Sequence, residues 1–393
     1  MTPGARAQAA IELLDEIIVA ARDGGAAADT LIARYFKARR YAGSKDRRAV
    51  RELVYRAIRR SGDRPKHGRA ALIGVARDDA DVAALFDGSP HAPAPIQNGE
   101  KAASASVLPG WLLAKITESL DVSEQAALLG RAPLDVRVNK RKSDRDSVAA
   151  LLPDAVPTRH APNGLRLPEG TAIEATEAFT QGLIEIQDEG SQLIVLAAKA
   201  RPGMIIVDLC AGAGGKTLAL ADEMDGSGQL IATDTDRGRL SRLAPRAARA
   251  GIESIETRLL DPEKEMRTLD DLKGLCDIVL IDAPCSGTGT WRRNPEARWR
   301  LSKERLNRLT GLQSRLLDIA ASLVKPGGAL VYAVCSILDD EGAGQVTEFL
   351  ARNPKFKPEK DLFTAGRYRG PGKLLSPMAD GTDGFFVARL NAA

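Results

Sequence analysis

The sequence predicts an α/β protein whose C-terminal half forms a doubly wound, mostly parallel sheet, and three observations support this class. From residue 184 onward, short apolar strands alternate with helical segments, as in strand–helix–strand units. One of these strands runs into a glycine-rich turn that is followed by a helix. Before residue 184 the apolar residues recur at helical spacing or in short alternating runs, which predicts a helical segment followed by a small α+β segment.

Length and composition indicate several domains and an ordinary globular protein. A chain of 393 residues exceeds what one hydrophobic core usually supports. We expect a helical domain over 1–85, a linker rich in proline, alanine and serine over 86–106, a small α+β domain over 107–183 and the large α/β domain over 184–393. No apolar run has the length of a membrane span and no signal peptide is recognisable, so a cytoplasmic location without a membrane partner is expected.

Charge is unevenly distributed along the chain. The net charge of +4 favours an anionic partner only mildly. In the N-terminal segment, however, Ser44-Lys45-Asp46-Arg47 resembles a helix cap, and an apolar face from Val50 to Ile58 is surrounded by arginines. Such a basic face is either a solvated surface or a contact for nucleic-acid phosphates. Both alternatives stay open here, and also for the basic run Lys140-Arg141-Lys142 in the small α+β domain.

The remaining elements follow from periodicity. The small domain is expected to contain a half-buried strand over Leu134–Asn139, a helix over Ser147–Leu152 and strands at Leu165–Leu167 and Gly182–Ile186. The strands predicted for the large sheet are Ile205–Val207, Leu230–Thr233, Asp277–Ile281, Ala329–Val334 and Phe385–Leu390.

The stretch from Met204 to Thr217 is the centre of the predicted large domain. Its first residues are apolar and mostly β-branched, which suits a buried parallel strand that ends at Asp208. The glycines that follow allow positive φ and a close approach of a ligand to the backbone; they are Gly212, Gly214 and Gly215. A helix is predicted from Lys216 to Met224. This arrangement places free backbone N–H groups where open α/β sheets bind nucleotides.

Three ligands compete for this turn. A Walker phosphate loop requires a glycine where Cys210 stands, and a dinucleotide fingerprint requires a third glycine where Thr217 stands. S-adenosylmethionine carries an adenosine but no phosphate, so it needs the glycines without a full phosphate cradle. Asp234 ends the next strand, where an acid accepts hydrogen bonds from the ribose of any adenosine ligand. The turn by itself leaves the choice open.

Two further strands bring an acid and two thiols to the same edge of the sheet. One leads into Asp282-Ala283-Pro284-Cys285 and the other into Cys335-Ser336. Cys276, within an apolar strand approach, is expected to be a buried small residue. The four cysteines are far apart and show no paired spacing for zinc, so no metal is expected.

These motifs resemble those of the Sun family of RNA 5-methylcytosine methyltransferases, which are Rossmann-like enzymes that use S-adenosylmethionine. Cys210 to Lys216 is similar to the cofactor loop of the family, and Asp282 to Gly289 matches its Asp-Ala-Pro-Cys-Ser-Gly motif. Tyr332 to Ser336 resembles its second cysteine motif, and Asp383 to Phe386 matches its final strand. The resemblance covers about residue 108 to the C-terminus. The helical segment through Ser44 to Arg48 resembles the NusB-type RNA-binding domain of the RsmB-like bacterial branch, which modifies small-subunit ribosomal RNA.

The resemblance implies roles for individual side chains. Cys335 would be the nucleophile, Cys285 would assist release of the product, Asp282 would bind the cytosine ring and Lys216 would lie near the same base. Asp234 is implied on the ribose and Asp261 near the adenine, although Asp261 could instead cap a helix before Pro262. The residues implied for the cofactor are Cys210, Ala211, Gly212, Ala213, Gly214, Gly215, Lys216, Asp234, Asp261 and Asp282.

The sequence departs from the family pattern at two positions and leaves alternatives open. Ala213 stands where the cofactor loop usually has proline, and Val334 replaces the threonine usual before the second cysteine. The segment Trp291 to Arg300 interleaves aromatics with arginines and could hold a flipped base, or Trp299 could belong to the core. The RNA partner could be ribosomal or transfer RNA. A non-catalytic RNA-binding scaffold and a phosphate-loop NTPase are the other classes.

Overall fold

A computed structural model describes residues 1–393, which fold into two compact units. The N-terminal unit comprises residues 1–131 together with 290–303, and the C-terminal unit comprises residues 132–289 together with 304–393. This division differs from the four expected domains, because residues 107–131 join the N-terminal helices instead of the small α+β domain.

Helices form the N-terminal unit, as the periodicity predicts. The first five are α1 (Pro3–Asp23), α2 (Ala28–Ala38), α3 (Ser44–Arg60), α4 (Gly68–Asp78) and α5 (Ala80–Ala83), and α6 (Leu113–Thr117) and α7 (Val122–Ala127) follow. Apolar residues three and four apart give α1, α3 and α4 one buried face each, which packs in a shared core through Leu14, Ile58 and Leu72.

The start of α3 differs in detail from the predicted cap. Gly43 is the cap residue and Ser44 is the first residue of the helix. The carboxylate of Asp46 accepts a hydrogen bond from the Gly43 N–H at 3.2 Å and pairs with Arg6 on α1. Asp46 therefore fastens the start of α3 to α1 as well as capping it.

Residues 86–106 lack regular secondary structure, but they do not form a free linker. The Ala103 N–H donates to the carbonyl of Ala70, and the Ser106 N–H donates to the carbonyl of Arg60, both at 2.9 Å. These contacts hold the segment against α3 and α4 within one unit, so the domain boundary lies after residue 131 instead of at 106.

A small antiparallel sheet opens the C-terminal unit. Its strands β1 (Leu134–Val138), β2 (Val156–Pro157), β3 (Gly164–Leu167) and β4 (Ile184–Ile186) lie in the order β2-β3-β1-β4, with helices α8 (Arg145–Leu151) and α9 (Glu177–Thr180). Val136, Leu165 and Ile184 are buried in one core. Because β4 pairs with β1, the domain boundary expected between residues 183 and 184 wrongly separates β4 from its sheet.

The larger sheet confirms the predicted Rossmann-like class. Its nine strands are β5 (Ile205–Asp208), β6 (Gln229–Asp234), β7 (Ile255–Leu259), β8 (Cys276–Asp282), β9 (Val324–Val334), β10 (Phe356–Pro358), β11 (Arg367–Arg369), β12 (Gly372–Leu375) and β13 (Phe385–Ala392). The associated helices are α10 (Glu189–Ala198), α11 (Gly215–Glu223), α12 (Arg237–Leu240), α13 (Leu243–Ala250), α14 (Met266–Leu269), α15 (Lys303–Leu323), α16 (Ala343–Arg352) and α17 (Pro377–Asp380).

The topology of this sheet brings four strand ends together. The order is β11-β12-β13-β9-β8-β5-β6-β7, with β10 paired to β13. β5 pairs in parallel with β6 on one side and with β8 on the other, and β8 pairs in parallel with β9. The carboxyl ends of β5, β6, β8 and β9 therefore share one edge, where ligands bind in open α/β sheets. None of the helices is both long and apolar enough to cross a membrane.

Candidate active site

The glycine-rich turn lies between β5 and α11, as predicted. Gly212 and Gly214 have φ values of +56° and +84°, which L side chains rarely adopt. A Cβ on Gly214 would lie 2.0 Å from Leu243 Cδ1, whereas a Cβ on Gly212 would meet no atom within 4 Å. Gly214 is therefore required for packing, and Gly212 leaves open space where a ligand can approach the backbone.

Two side chains hold the turn from outside. Asp234, at the end of β6, accepts a hydrogen bond from the Gly212 N–H at 2.8 Å. Arg246 donates to the carbonyl oxygen of Ala213 at 2.7 Å and pairs with Glu185 at 2.9 Å. Ala213 stands where the family usually has proline, whose ring would restrict the backbone. The hydrogen bond from Arg246 restrains the backbone at the same residue.

Beneath the turn lies a buried acid. Asp208 is fully buried and accepts a hydrogen bond from the Thr217 hydroxyl at 2.7 Å, while its other oxygen has no partner. Burial raises the pKa of Asp208 to about 7, because an unpaired carboxylate loses its hydration. The hydrogen bond between Thr217 and Asp208 joins the first turn of α11 to the end of β5.

Lys216 and Asp282 form the ionic part of the site. The Nζ of Lys216 lies 2.6 Å from Oδ2 of Asp282, and the lysine side chain is only 12% exposed. Burial lowers the pKa of Lys216, but the charge of Asp282 and its hydrogen bond, together with the charges of Asp208 and Cys335, outweigh burial and raise the pKa above its ordinary value. The ammonium group is therefore retained at neutral pH, and it is close enough to Cys335 for their charges to interact.

The two cysteines that follow β8 and β9 lie in contact. The Sγ atoms of Cys285 and Cys335, which we call the thiol pair, are 3.3 Å apart and both residues are half-buried. The hydrogen bond to Cys335, followed by burial, raises the pKa of Cys285 well above its ordinary value. Cys285 therefore keeps its proton at neutral pH beside the other sulfur.

The remaining cysteines have no such partner. Cys276 is fully buried, and burial raises its pKa to about 12. Burial also raises the pKa of Cys210 well above the ordinary value, although Cys210 lies in the turn. The buried state predicted for Cys276 is confirmed. No cluster of cysteine, histidine and acidic residues is arranged to hold a metal ion.

Asp261 is exposed, whereas the tryptophans of the segment Trp291 to Arg300 are buried. Asp261 is exposed after β7, and no helix uses it as a cap, because Glu265 precedes α14. Trp299 is 3% exposed in the core of the N-terminal unit, where its indole N–H donates to the carbonyl of Ser61 at 2.8 Å. The idea that Trp299 stacks on a flipped base is therefore wrong, because the ring is already packed; Trp291 is also fully buried.

A polar network beneath the thiol pair was missed from the sequence. Glu341 is fully buried and accepts hydrogen bonds from the Ser286 N–H at 2.8 Å and from Gln313 at 3.1 Å. Thr288 and Ser336 are joined through their hydroxyls at 2.9 Å. In the sequence, nothing distinguishes Glu341 from the two aspartates before it, and Gln313 occurs in an ordinary helical pattern.

Comparison with known proteins places the chain in a family. The family model described as 16S rRNA methyltransferase RsmB/F matches residues 194–391. The chain belongs to this family. Two curated relatives are each named "Ribosomal RNA small subunit methyltransferase B". The protein from Salmonella arizonae is 34% identical over 292 residues, and that from Citrobacter koseri is 35% identical over 289 residues. In both cases the match covers 72% of this chain and 66% of the relative.

A solved structure extends the likeness to the whole chain. The crystal structure of PH0851 covers 98% of this chain and is itself covered to 98%, with a TM-score of 0.76 and 25% sequence identity. The structure of NSun6 from Pyrococcus horikoshii with SFG covers 72% of this chain, with a TM-score of 0.65 and 19% identity, and shows the fold alone.

Proposed function

We propose that this protein transfers a methyl group from S-adenosylmethionine to carbon 5 of a cytosine in RNA, through a covalent adduct with Cys335. The observation that carries the proposal is the 3.3 Å separation of the Cys285 and Cys335 sulfurs at the ligand-binding edge of the sheet. Membership of the RsmB/F family and the names of the relatives support small-subunit ribosomal RNA as the substrate.

The chemistry explains why a thiol is needed. Carbon 5 of cytosine is a poor nucleophile, so the Cys335 thiolate first adds to carbon 6, forming an S–C6 bond and making carbon 5 enamine-like. Carbon 5 would then attack the methyl group, whose bond to the sulfonium sulfur breaks so that the donor leaves as a neutral thioether. A base would take the proton from carbon 5, and the S–C6 bond would break to restore the thiolate. Cys285 would assist this last step, since its sulfur lies 3.3 Å from that of Cys335. Covalent catalysis thus divides one difficult substitution into easier steps.

Charged side chains support the addition step. A free thiol ionises near pH 8.5, so a nucleophilic cysteine benefits from a nearby cation. Lys216 carries that charge, and Asp282 holds it at 2.6 Å. With cytosine bound, Asp282 would also hydrogen-bond the ring, so that the base accepts the charge that develops during the addition.

The residues around the turn fit the methyl donor. The backbone is open at Gly212, and Asp234 stands beside it at the end of β6, where an acid can accept hydrogen bonds from ribose hydroxyls. Asp261 lies exposed after β7 and would contact the adenine in this proposal. When bound, S-adenosylmethionine supplies an electrophilic methyl group.

The test measures transfer of a labelled methyl group to small-subunit ribosomal RNA. We expect Cys335→Ala to abolish transfer and Cys285→Ala to accumulate a covalent protein–RNA adduct on a denaturing gel. Cys276→Ala is the matched control, because that thiol is buried at the start of β8, and its activity should stay near that of the wild type. Normal methyl transfer by Cys335→Ala would show that Cys335 is not the nucleophile. If the wild type methylated only transfer RNA, transfer RNA would be the substrate instead of ribosomal RNA.

A further inference from the structure

Glu341 is a fully buried carboxylate in the loop between β9 and α16. Its Oε1 accepts hydrogen bonds from the Ser286 N–H at 2.8 Å and from the Gln313 side-chain amide at 3.1 Å, and its Oε2 accepts from the Ser286 hydroxyl. All three donors are neutral groups. A buried carboxylate is costly unless its oxygens are satisfied, so these contacts are strongly favoured once the loop has folded.

Glu341 contacts the residue after Cys285 directly and the residue before Cys285 only through Gln313. Ser286 follows the cysteine, and it donates both its N–H and its hydroxyl to the carboxylate. Pro284 precedes the cysteine, and its carbonyl accepts a hydrogen bond at 2.9 Å from the same Gln313 amide that contacts Glu341. The backbone on each side of Cys285 is therefore held by one connected group.

Glu341 is itself fixed to the strand that carries the other cysteine. The hydroxyl of Tyr332 donates to the carbonyl of Glu341 at 2.7 Å, and Tyr332 lies on β9 three residues before Cys335. A second tie joins the two loops, since the hydroxyls of Thr288 and Ser336 lie 2.9 Å apart. Glu341 thus links the loop of one cysteine to the chain that follows the other.

We propose that Glu341 is a positioning residue that sets the separation of the thiol pair. It does not contact either sulfur, and it acts through Ser286 and Gln313 on the backbone around Cys285. The proposal rests on the proposed function for its kinetic consequence, because a displacement of Cys285 slows the step that Cys285 assists. Misplacement of a reacting group by about 1 Å can cost on the order of 100-fold in rate.

The test replaces the carboxylate by an amide in Glu341→Gln. The amide has nearly the same shape, but one of its two acceptor atoms becomes a donor that faces the Ser286 or Gln313 donors. The matched control is Glu359→Gln, because Glu359 also accepts side-chain hydrogen bonds in the same unit, from Arg389 at 2.7 Å and from Asn391 at 3.2 Å. Glu359 follows β10, which pairs with Leu390 and Asn391 of β13. These two residues pair with Leu330 and Ala329 in the middle of β9, at least five residues before Cys335.

The first readout does not depend on the reaction. Dibromobimane becomes fluorescent when it links two neighbouring thiols, and mass spectrometry identifies the linked Cys285 and Cys335 peptides. Without RNA or methyl donor, we expect the rate of linking to fall about tenfold in Glu341→Gln and to stay unchanged in Glu359→Gln. A linking rate equal to that of the wild type would overturn the proposal.

The second readout separates positioning from a general loss of structure. We expect Glu341→Gln to lower kcat about tenfold and to accumulate the covalent RNA adduct, with the KM for S-adenosylmethionine unchanged. Unchanged kcat and no adduct would contradict the proposal. If Glu341→Gln fails to fold, Ser286→Ala decides, because it keeps the N–H contact with Glu341 and removes the hydroxyl contacts with Glu341, Thr288 and Ser336. It should slow linking by a smaller factor, and wild-type linking by this variant would refute the role. Failure of the proposed function would appear separately, as normal transfer by Cys335→Ala.

Discussion

The ammonium group of Lys216 and the carboxylate of Asp282 form an ion pair with an Nζ–Oδ2 distance of 2.6 Å at the edge that also carries Cys335. We expect Lys216→Gln to lower kcat about 100-fold, because the pocket loses the cation that favours a thiolate and leaves Asp282 unpaired. The pH at which the rate reaches half its maximum should rise. Methyl transfer to RNA measured across a pH series checks both effects.

A second lysine ion pair in the same sheet provides the control for this variant. Lys325 lies 2.5 Å from Asp277, near the starts of β8 and β9 at the opposite edge from Cys335. Lys325→Gln should therefore leave kcat and its pH dependence unchanged. An equal loss of kcat in Lys216→Gln and Lys325→Gln would mean that Lys216 contributes to stability and has no specific effect on the thiol of Cys335.

Gly214 and Gly203 share a φ of +84° but differ in their surroundings. A Cβ on Gly214 would lie 2.0 Å from Leu243 Cδ1, whereas a Cβ on Gly203 meets nothing within 4 Å. We expect Gly203→Ala to cost about 1–2 kcal/mol of unfolding free energy from backbone strain alone, and Gly214→Ala to cost about 1–3 kcal/mol more from overpacking. Urea unfolding followed by circular dichroism measures the difference, which would vanish if Leu243 could move aside freely.

Asp208 makes stability depend on pH. Its pKa is about 7 in the folded protein and near 4 in an unfolded chain, so the unfolded state loses this proton first as the pH rises. The folded protein is more stable with Asp208 protonated than it would be with Asp208 ionised. This gain in unfolding free energy is complete below about pH 4 and is lost progressively between about pH 4 and 7, by as much as about 4 kcal/mol.

The variant Asp208→Asn has no proton to lose. Its unfolding free energy, measured from urea titrations at several pH values, should therefore fall less than that of the wild type between about pH 4 and 7, and the difference should become constant above about pH 7. Groups that titrate identically in both proteins cancel in this comparison. Parallel curves for the two proteins would show that folding leaves the pKa of Asp208 unchanged.

Arg298 supports the N-terminal unit from the inside. It is 1% exposed and donates to the backbone carbonyls of Val107, Arg59 and Ser61, each at 2.9 Å. We expect Arg298→Met to destabilise this unit by about 3 kcal/mol or more, because several buried carbonyls lose their donors. The exposed Arg34 gives the control variant Arg34→Met, which should cost under about 0.5 kcal/mol. Tryptophan fluorescence reports this unit, since it contains Trp111, Trp291 and Trp299.

The parallel strands and the glycine turn could be predicted from the sequence because each is marked by a pattern of neighbouring residues. Four or more apolar residues in a row predict β5, β8 and β9, and the residues directly after parallel strands must share one edge of the sheet. The approach of Asp282 and the thiol pair at that edge was thus predictable, whereas the ion pair between Lys216 and Asp282 was not, because Lys216 lies in α11 and not directly after a strand. The strands β10 and β11 were not predicted, because each has three residues with little apolar character and forms only by pairing with a neighbour.

The sequence alone determined the fold class, the Rossmann-like turn and the strand ends that carry the acid and the thiols, because each depends on neighbouring residues. Tertiary structure decided the domain boundaries, the burial of Trp299 and Arg298 in a helical core, and the contact between Glu341 and Ser286. These depend on residues that lie from 55 to more than 200 positions apart. A charged or aromatic side chain carries no local signal of whether it will meet water or a distant partner, so only packing could settle its role.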